Sequence, residues 1–154
     1  MLDPETIEIL MEGCIRAAWR REDGIRRPYV GAIVLSREEK FLSLGIKRFM
    51  EGTQGLLIHA ERDALMQAGD QARGGTLITT LEPCVRIPEI IPIFKPCAEL
   101  IKEMGIQKVI IGIQDDSLYI RGRGIAYLKR KGIQVEMYKG DTRVLEKLAS
   151  MYKK

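Results

Sequence analysis

The chain has 154 residues, 45% of them hydrophobic and 30% charged, which suits one folded domain with a sizeable core and excludes a disordered or membrane-spanning composition. Twenty-five Lys and Arg against twenty-one Asp and Glu leave a net charge of +4, which permits an anionic partner without demanding a polyanion. The first residues, Met1-Leu2-Asp3-Pro4-Glu5, lack the basic-then-apolar layout of a secretory signal, so a cytoplasmic protein with reduced thiols is expected.

In chain order, Asp3 is a helix cap followed by a proline and an acidic first turn. The helix it starts is expected to end near Asp23-Gly24. The apolar stripe Ile7, Leu10, Cys14, Ala17, Ala18 assigns Cys14 to the core. Two short apolar runs, 29–35 and 41–46, flank a polar turn and read as a hairpin. After a Gly-containing loop at 51–55, Ile58, Glu61 and Leu65 fall at helical spacing, predicting a helix over 58–68 with His59 and Glu61 in its first turn.

A strand over 76–81, a helix over 97–104, a buried strand over 109–113, a helix ending at Gly132, a strand over 133–138 and a helix over 142–152 follow. Strands separated by helices argue for parallel pairing through right-handed crossovers, beside the antiparallel first pair. The expected fold is a three-layer α/β/α domain spanning 1–154 around a mixed, mostly parallel five-stranded sheet.

Four residues carry the chemistry. His59 is the only histidine, Glu61 stands two positions on, and Cys84 and Cys97 each follow a proline. One imidazole and two thiolates leave a fourth zinc position open to water, and a glutamate beside the metal moves protons without binding it. The spacing departs from the usual Pro-Cys-x-x-Cys, since twelve residues separate Cys84 from Cys97. Pro83 and Pro96 suit first helical turns, and Glu82 is read as an acceptor for backbone donors around the cysteine turn. The intervening 85–95 segment, with Pro88 and Pro92, is apolar for a loop. It is an apolar wall over a pocket or, preferred here, a dimer contact.

With His59-Ala60-Glu61, Thr80-Leu81-Glu82-Pro83-Cys84 and Pro96-Cys97-Ala98-Glu99 in place, the chain resembles the cytidine/deoxycytidylate deaminase superfamily. Within it, the likeness is nearest to the deaminase domain of the bifunctional riboflavin-biosynthesis deaminase/reductase. It covers roughly residues 28–138, including Gly105-Ile106, Gln114-Asp115-Asp116-Ser117 and Gly122-Arg123-Gly124-Ile125. The resemblance implies His59, Cys84 and Cys97 on zinc, Glu61 as proton shuttle, the Ala60 backbone facing the substrate ring, and Asp115 and Ser117 in contact with substrate or at the pocket mouth.

The resemblance also implies a homodimer. Arg27-Pro28 replaces the family's Asn-Pro, the insert is longer, and no reductase domain is expected, so the riboflavin-pathway substrate does not follow. The first function expected is hydrolytic deamination of a small, phosphorylated, pyrimidine-type substrate, with Arg27, Lys47 or Arg48 as phosphate contacts. Deamination of a base in RNA or single-stranded DNA comes second. A zinc-stabilised scaffold without turnover comes third.

Overall fold

Side chains alternate along the three central strands and sort the core onto two faces of one sheet. Along β1 (Gly31–Leu35), Ala32 and Val34 point to one face while Ile33 and Leu35 point to the other. β5 (Thr76–Leu81) and β6 (Lys108–Ile113) repeat the pattern, with Leu77, Val109 and Ile111 on the first face and Ile78 and Ile110 on the second. The computed structural model describes residues 1–150.

The first face is covered by α2 (Ala60–Ala68), α3 (Cys97–Glu103) and α4 (Arg123–Arg130), which contribute Leu65, Ile101 and Leu128. The second is covered by α1 (Pro4–Trp19) and α5 (Arg143–Ala149), with Met11, Cys14 and Leu145. This is the expected α/β/α sandwich. Cys14 is fully buried, and its thiol reaches the Ile78 carbonyl at 3.7 Å.

The sheet runs β2-β1-β5-β6-β7, with β2 at Phe41–Ile46 and β7 at Gln134–Met137. β1 is antiparallel to both neighbours, whereas β5, β6 and β7 pair in parallel. Four of the five strands therefore share one direction, as a mixed, mostly parallel sheet requires.

Several boundaries move. Asp3 caps α1 through its bond from the Thr6 N–H at 2.7 Å, but the helix closes at Trp19, well before Asp23-Gly24, because the polar stretch beyond it has no apolar stripe to bury. Ile58 belongs to a small hairpin, β3 (Arg48–Phe49) with β4 (Leu57–Ile58), and the next helix starts two residues later than expected. Leu57 and Ile58 pair as backbone before the chain turns into α2, a tertiary choice that helical spacing does not register. The last helix was expected to reach Tyr152. Its end there lies outside the described residues.

Candidate active site

The site is built where α2 is pressed against the edge of the sheet. A Cβ on Gly45 would stand 2.3 Å from the Ala60 carbonyl oxygen and 2.4 Å from the Ala64 nitrogen, so a larger residue in β2 would push the helix away. Ser43 donates its hydroxyl to the Ala64 carbonyl at 2.6 Å. The Asp63 carboxylate accepts from the Ile46 N–H at 3.1 Å and from the Arg48 guanidinium at 3.0 Å. These contacts fix the first turn of α2, where His59 is the N-cap residue without a side-chain capping bond, leaving its imidazole available. Ala60 and Glu61 are buried one and two positions on.

The second arm leaves the end of β5. The Glu82 N–H reaches the Ile113 carbonyl at 2.9 Å, and Pro83 leads into Cys84 in irregular chain. The expectation of a helical turn after Pro83 is thus corrected: only Pro96 precedes a helix, as the N-cap residue of α3, because the prolines of the insert interrupt regular structure in between. The long insert is closed at its neck. The Cys97 N–H donates to the Cys84 sulfur at 3.2 Å and the Ala98 N–H to the Cys84 carbonyl at 3.0 Å. Outside the neck, Arg86 makes a two-pronged pair with Glu99 at 3.0 and 3.1 Å. Arg62 lies over the Phe94 ring and bonds the Lys95 carbonyl, and Lys95 pairs with Glu103. Ile90, Ile91 and Ile93 stay exposed.

His59, Cys84 and Cys97 converge. The His59 Nδ1 lies 3.6 Å from the Cys84 Sγ and 3.5 Å from the Cys97 Sγ, and the three ligand atoms sit within 4.8 Å of one another. Tetrahedral zinc with bonds of about 2.0–2.3 Å holds its ligands roughly 3.3–3.8 Å apart. The donor set and its spacing therefore fit zinc, with a fourth position left for water or substrate. The thiol of Cys97, with His59 helping, draws the Cys84 thiol below the ordinary range, while the bond to Cys84 and burial hold the Cys97 thiol above it. Bonding to Cys84 raises the His59 imidazole. Burial pushes the Glu61 carboxyl up to about 7, with His59 pulling the other way.

A cavity of about 650 Å³ opens onto this group. His59, Ala60, Glu61 and Cys84 line one part of it; Pro28, Val30 and Lys47 line another. The rim is the segment Asp115–Ile120, so the expected Asp115 and Ser117 both lie in the cavity, joined by a bond from the Ser117 N–H to the Asp115 carboxylate at 2.7 Å. Of the three basic candidates, only Lys47 lines the cavity. Arg27 lies over the Tyr29 ring and donates to the Lys147 carbonyl at 2.8 Å, and Arg48 is paired with Asp63.

Sequence reasoning underrated Glu82. Its buried carboxylate accepts from the Asp115 N–H at 3.1 Å and the Gly122 N–H at 3.0 Å through one oxygen, and from the Ile125 N–H at 3.0 Å through the other. It thereby ties the rim and the start of α4 to the end of β5, whereas the expected donors were those of the cysteine turn. Leu118 and Tyr119, exposed at the rim, were also not singled out. An acidic residue closing the apolar run 76–81 is the signal for the first. An apolar pair inside a polar loop is the signal for the second.

An α/β/α scaffold presenting one imidazole, one thiol and a buried glutamate to a cavity, with a second thiol within metal-ligand reach of the first, defines the class of zinc-dependent deaminases. The sequence agrees: residues 4–113 match the cytidine and deoxycytidylate deaminase zinc-binding region, and the chain belongs to that family. It is 34% identical over 130 residues to riboflavin biosynthesis protein RibD of Bacillus amyloliquefaciens, covering 84% of this chain and 32% of that one. It is 34% identical over 110 residues to the diaminohydroxyphosphoribosylamino-pyrimidine deaminase of Buchnera aphidicola subsp. Schizaphis graminum, covering 71% and 68%. The chain thus spans about a third of the first relative and about two thirds of the second. The solved structure of Acinetobacter baumannii RibD superposes with a TM-score of 0.74 at 28% identity, over 95% of this chain and 38% of that one. Among the described residues no helix is long and apolar enough to cross a membrane.

Proposed function

We propose that this protein is a hydrolytic deaminase that converts a ring amino group of a small, phosphorylated, pyrimidine-type compound to a carbonyl and releases ammonia. His59, Cys84 and Cys97 would hold zinc, which when bound supplies Lewis-acid activation of a water molecule. The observation that carries this reading is Glu61, a buried carboxyl in the cavity wall two residues from His59. A structural zinc site has no use for such a group and takes four protein ligands.

Water adds through its oxygen to the ring carbon that bears the amine, and Glu61 takes a proton from it. Glu61 delivers that proton to the adjacent ring nitrogen, opening the ring carbon to a tetrahedral state. The second proton of the water oxygen passes by the same carboxyl to the exocyclic amine. The carbon–nitrogen bond breaks, ammonia leaves, and the carbonyl closes. Burial raises the carboxyl's affinity for a proton, which suits a group that takes a proton and gives it back. The Ala60 backbone and the Asp115–Ser117 rim position the ring, and the apolar walls at Val30 and Leu81 exclude bulk water.

The Buchnera relative's name supports a ribosylated, phosphorylated diaminopyrimidine as the first compound to try. Ammonia release by the zinc-loaded protein is measured against that compound, free bases, nucleosides, cytidine nucleotides and single-stranded oligonucleotides. Release from the diaminopyrimidine or a nucleotide is expected. Release from oligonucleotides alone would replace this reading with base deamination in nucleic acid, and zinc without any turnover would leave a scaffold.

A further inference from the structure

Lys47 is the cation among the described residues that line the cavity. It sits between β2 and β3, half-buried, with its main-chain N–H on the Val30 carbonyl at 3.3 Å. Its ammonium donates to the carbonyls of Arg26 at 3.0 Å and Pro28 at 3.3 Å. A lysine ammonium has three donors, so one is left for something other than protein.

Its charge is likewise unanswered. Among the described residues no carboxylate lies within ion-pair distance of Lys47, whereas Arg48, Arg86 and Arg121 are paired with Asp63, Glu99 and Asp116. Burial draws the ammonium below the usual lysine range, and the same charge opposes protonation of His59. A charge removed from water is costly unless a counter-charge meets it. Tying down the turn at 26–28 would need only a neutral donor. The carboxylates among the lining residues, Glu61, Glu82, Asp115 and Asp116, are acceptors suited to N–H groups, whereas Lys47 brings a positive charge suited to an electron-rich oxygen.

We propose that Lys47 is the specificity-determining cation of this pocket, receiving an electron-rich oxygen of the substrate on its remaining donor. The oxygen belongs either to a phosphate or to a ring carbonyl. This inference rests on the reading of the cavity as the substrate site and goes beyond it by assigning one residue the choice of ligand.

The test combines Lys47→Met and Lys47→Arg with two compounds, the ribosylated diaminopyrimidine with and without its phosphate. The Met variant is expected to lose roughly 10- to 100-fold in kcat/KM, mainly through KM, the range of one charge-assisted hydrogen bond. Bound zinc should be unchanged, and the Arg variant should recover part of the loss. Loss confined to the phosphorylated compound assigns the phosphate; equal loss on both assigns the carbonyl. Native KM on both compounds in the Met variant would overturn the proposal.

A second measurement needs no variant and no turnover. Acetylation of Lys47 in the zinc-loaded native protein, read by peptide mass spectrometry, should slow when inorganic phosphate or the ribosylated pyrimidine is added. Protection in a protein that deaminates nothing would sink the proposed activity and keep Lys47 as the anion contact. An active enzyme whose Lys47 is unprotected by every compound it turns over would sink this inference alone.

Discussion

Replacing Glu82 by Gln removes one carboxylate oxygen while keeping the size of the side chain. The remaining carbonyl oxygen can take the Oε1 position and keep the Asp115 and Gly122 N–H groups, at 3.1 and 3.0 Å. The amide nitrogen then faces the Ile125 N–H, whose acceptor is lost. One lost bond to a charged acceptor, plus a donor left unsatisfied beside another donor, costs about 1–3 kcal/mol. For a chain of this size that is a fall of roughly 3–10 °C in Tm. The assay is urea unfolding of zinc-loaded native and variant protein with m held in common, followed by thermal scans. Because Glu82 holds the Asp115–Gly122 rim and not α2, KM should rise more than kcat falls. A Glu82→Gln protein within about 0.5 kcal/mol of native would refute the claim that these three bonds anchor the rim, since that is the scatter expected of an unremarkable surface change.

Three further outcomes follow from the same geometry. Replacing Cys97 by Ser should abolish stoichiometric zinc binding, measured by elemental analysis after dialysis, because two remaining ligands do not hold a tetrahedral site. Gly124→Ala should destabilise the protein by about 1–3 kcal/mol, since its Cβ would meet the Pro83 carbonyl oxygen at 2.3 Å and force the start of α4 off the end of β5; unchanged urea unfolding would contradict that close approach. Asp115→Asn keeps the acceptor for the Ser117 N–H. Burial raises the Asp115 carboxyl, so the folded state resists its ionisation more than the unfolded chain does. Native protein therefore loses the protonated form's advantage as pH rises above about 4 through the raised value, and the Asn variant does not. Stability of the variant relative to native should accordingly increase with pH while zinc stays bound, and a difference that stays constant would contradict this sign.

How much of this was legible in the chain depends on range. Runs of apolar and β-branched residues in β1, β5 and β6, buried on both faces, and helical spacing in α1 and α2 are local patterns, so the layers and the fate of Cys14 could be read directly. His59, Glu61, Cys84 and Cys97 could be chosen by chemistry, because zinc chemistry restricts residue type more tightly than spacing. The neck that brings Cys97 back to Cys84 across the insert is made of two backbone donors and has no signature in sequence. The same holds for the basic residues. Arg27, Lys47 and Arg48 are equivalent as letters, and only the packing of α5, α2 and the 26–28 turn sends Arg27 to Lys147, Arg48 to Asp63 and Lys47 to the cavity. Glu82 was visible as a buried acceptor, but its partners lie 33 to 43 residues away.

The most direct measurement is made on Glu61→Gln: zinc content per chain and ammonia release in the same preparation, beside native protein. The account predicts one zinc per chain in both, with release from the pyrimidine substrate in native protein and a loss of at least about 100-fold in the variant, the scale of a removed general acid–base. Zinc retained together with near-native release would contradict the assignment of Glu61 as the proton carrier and, with it, the mechanism.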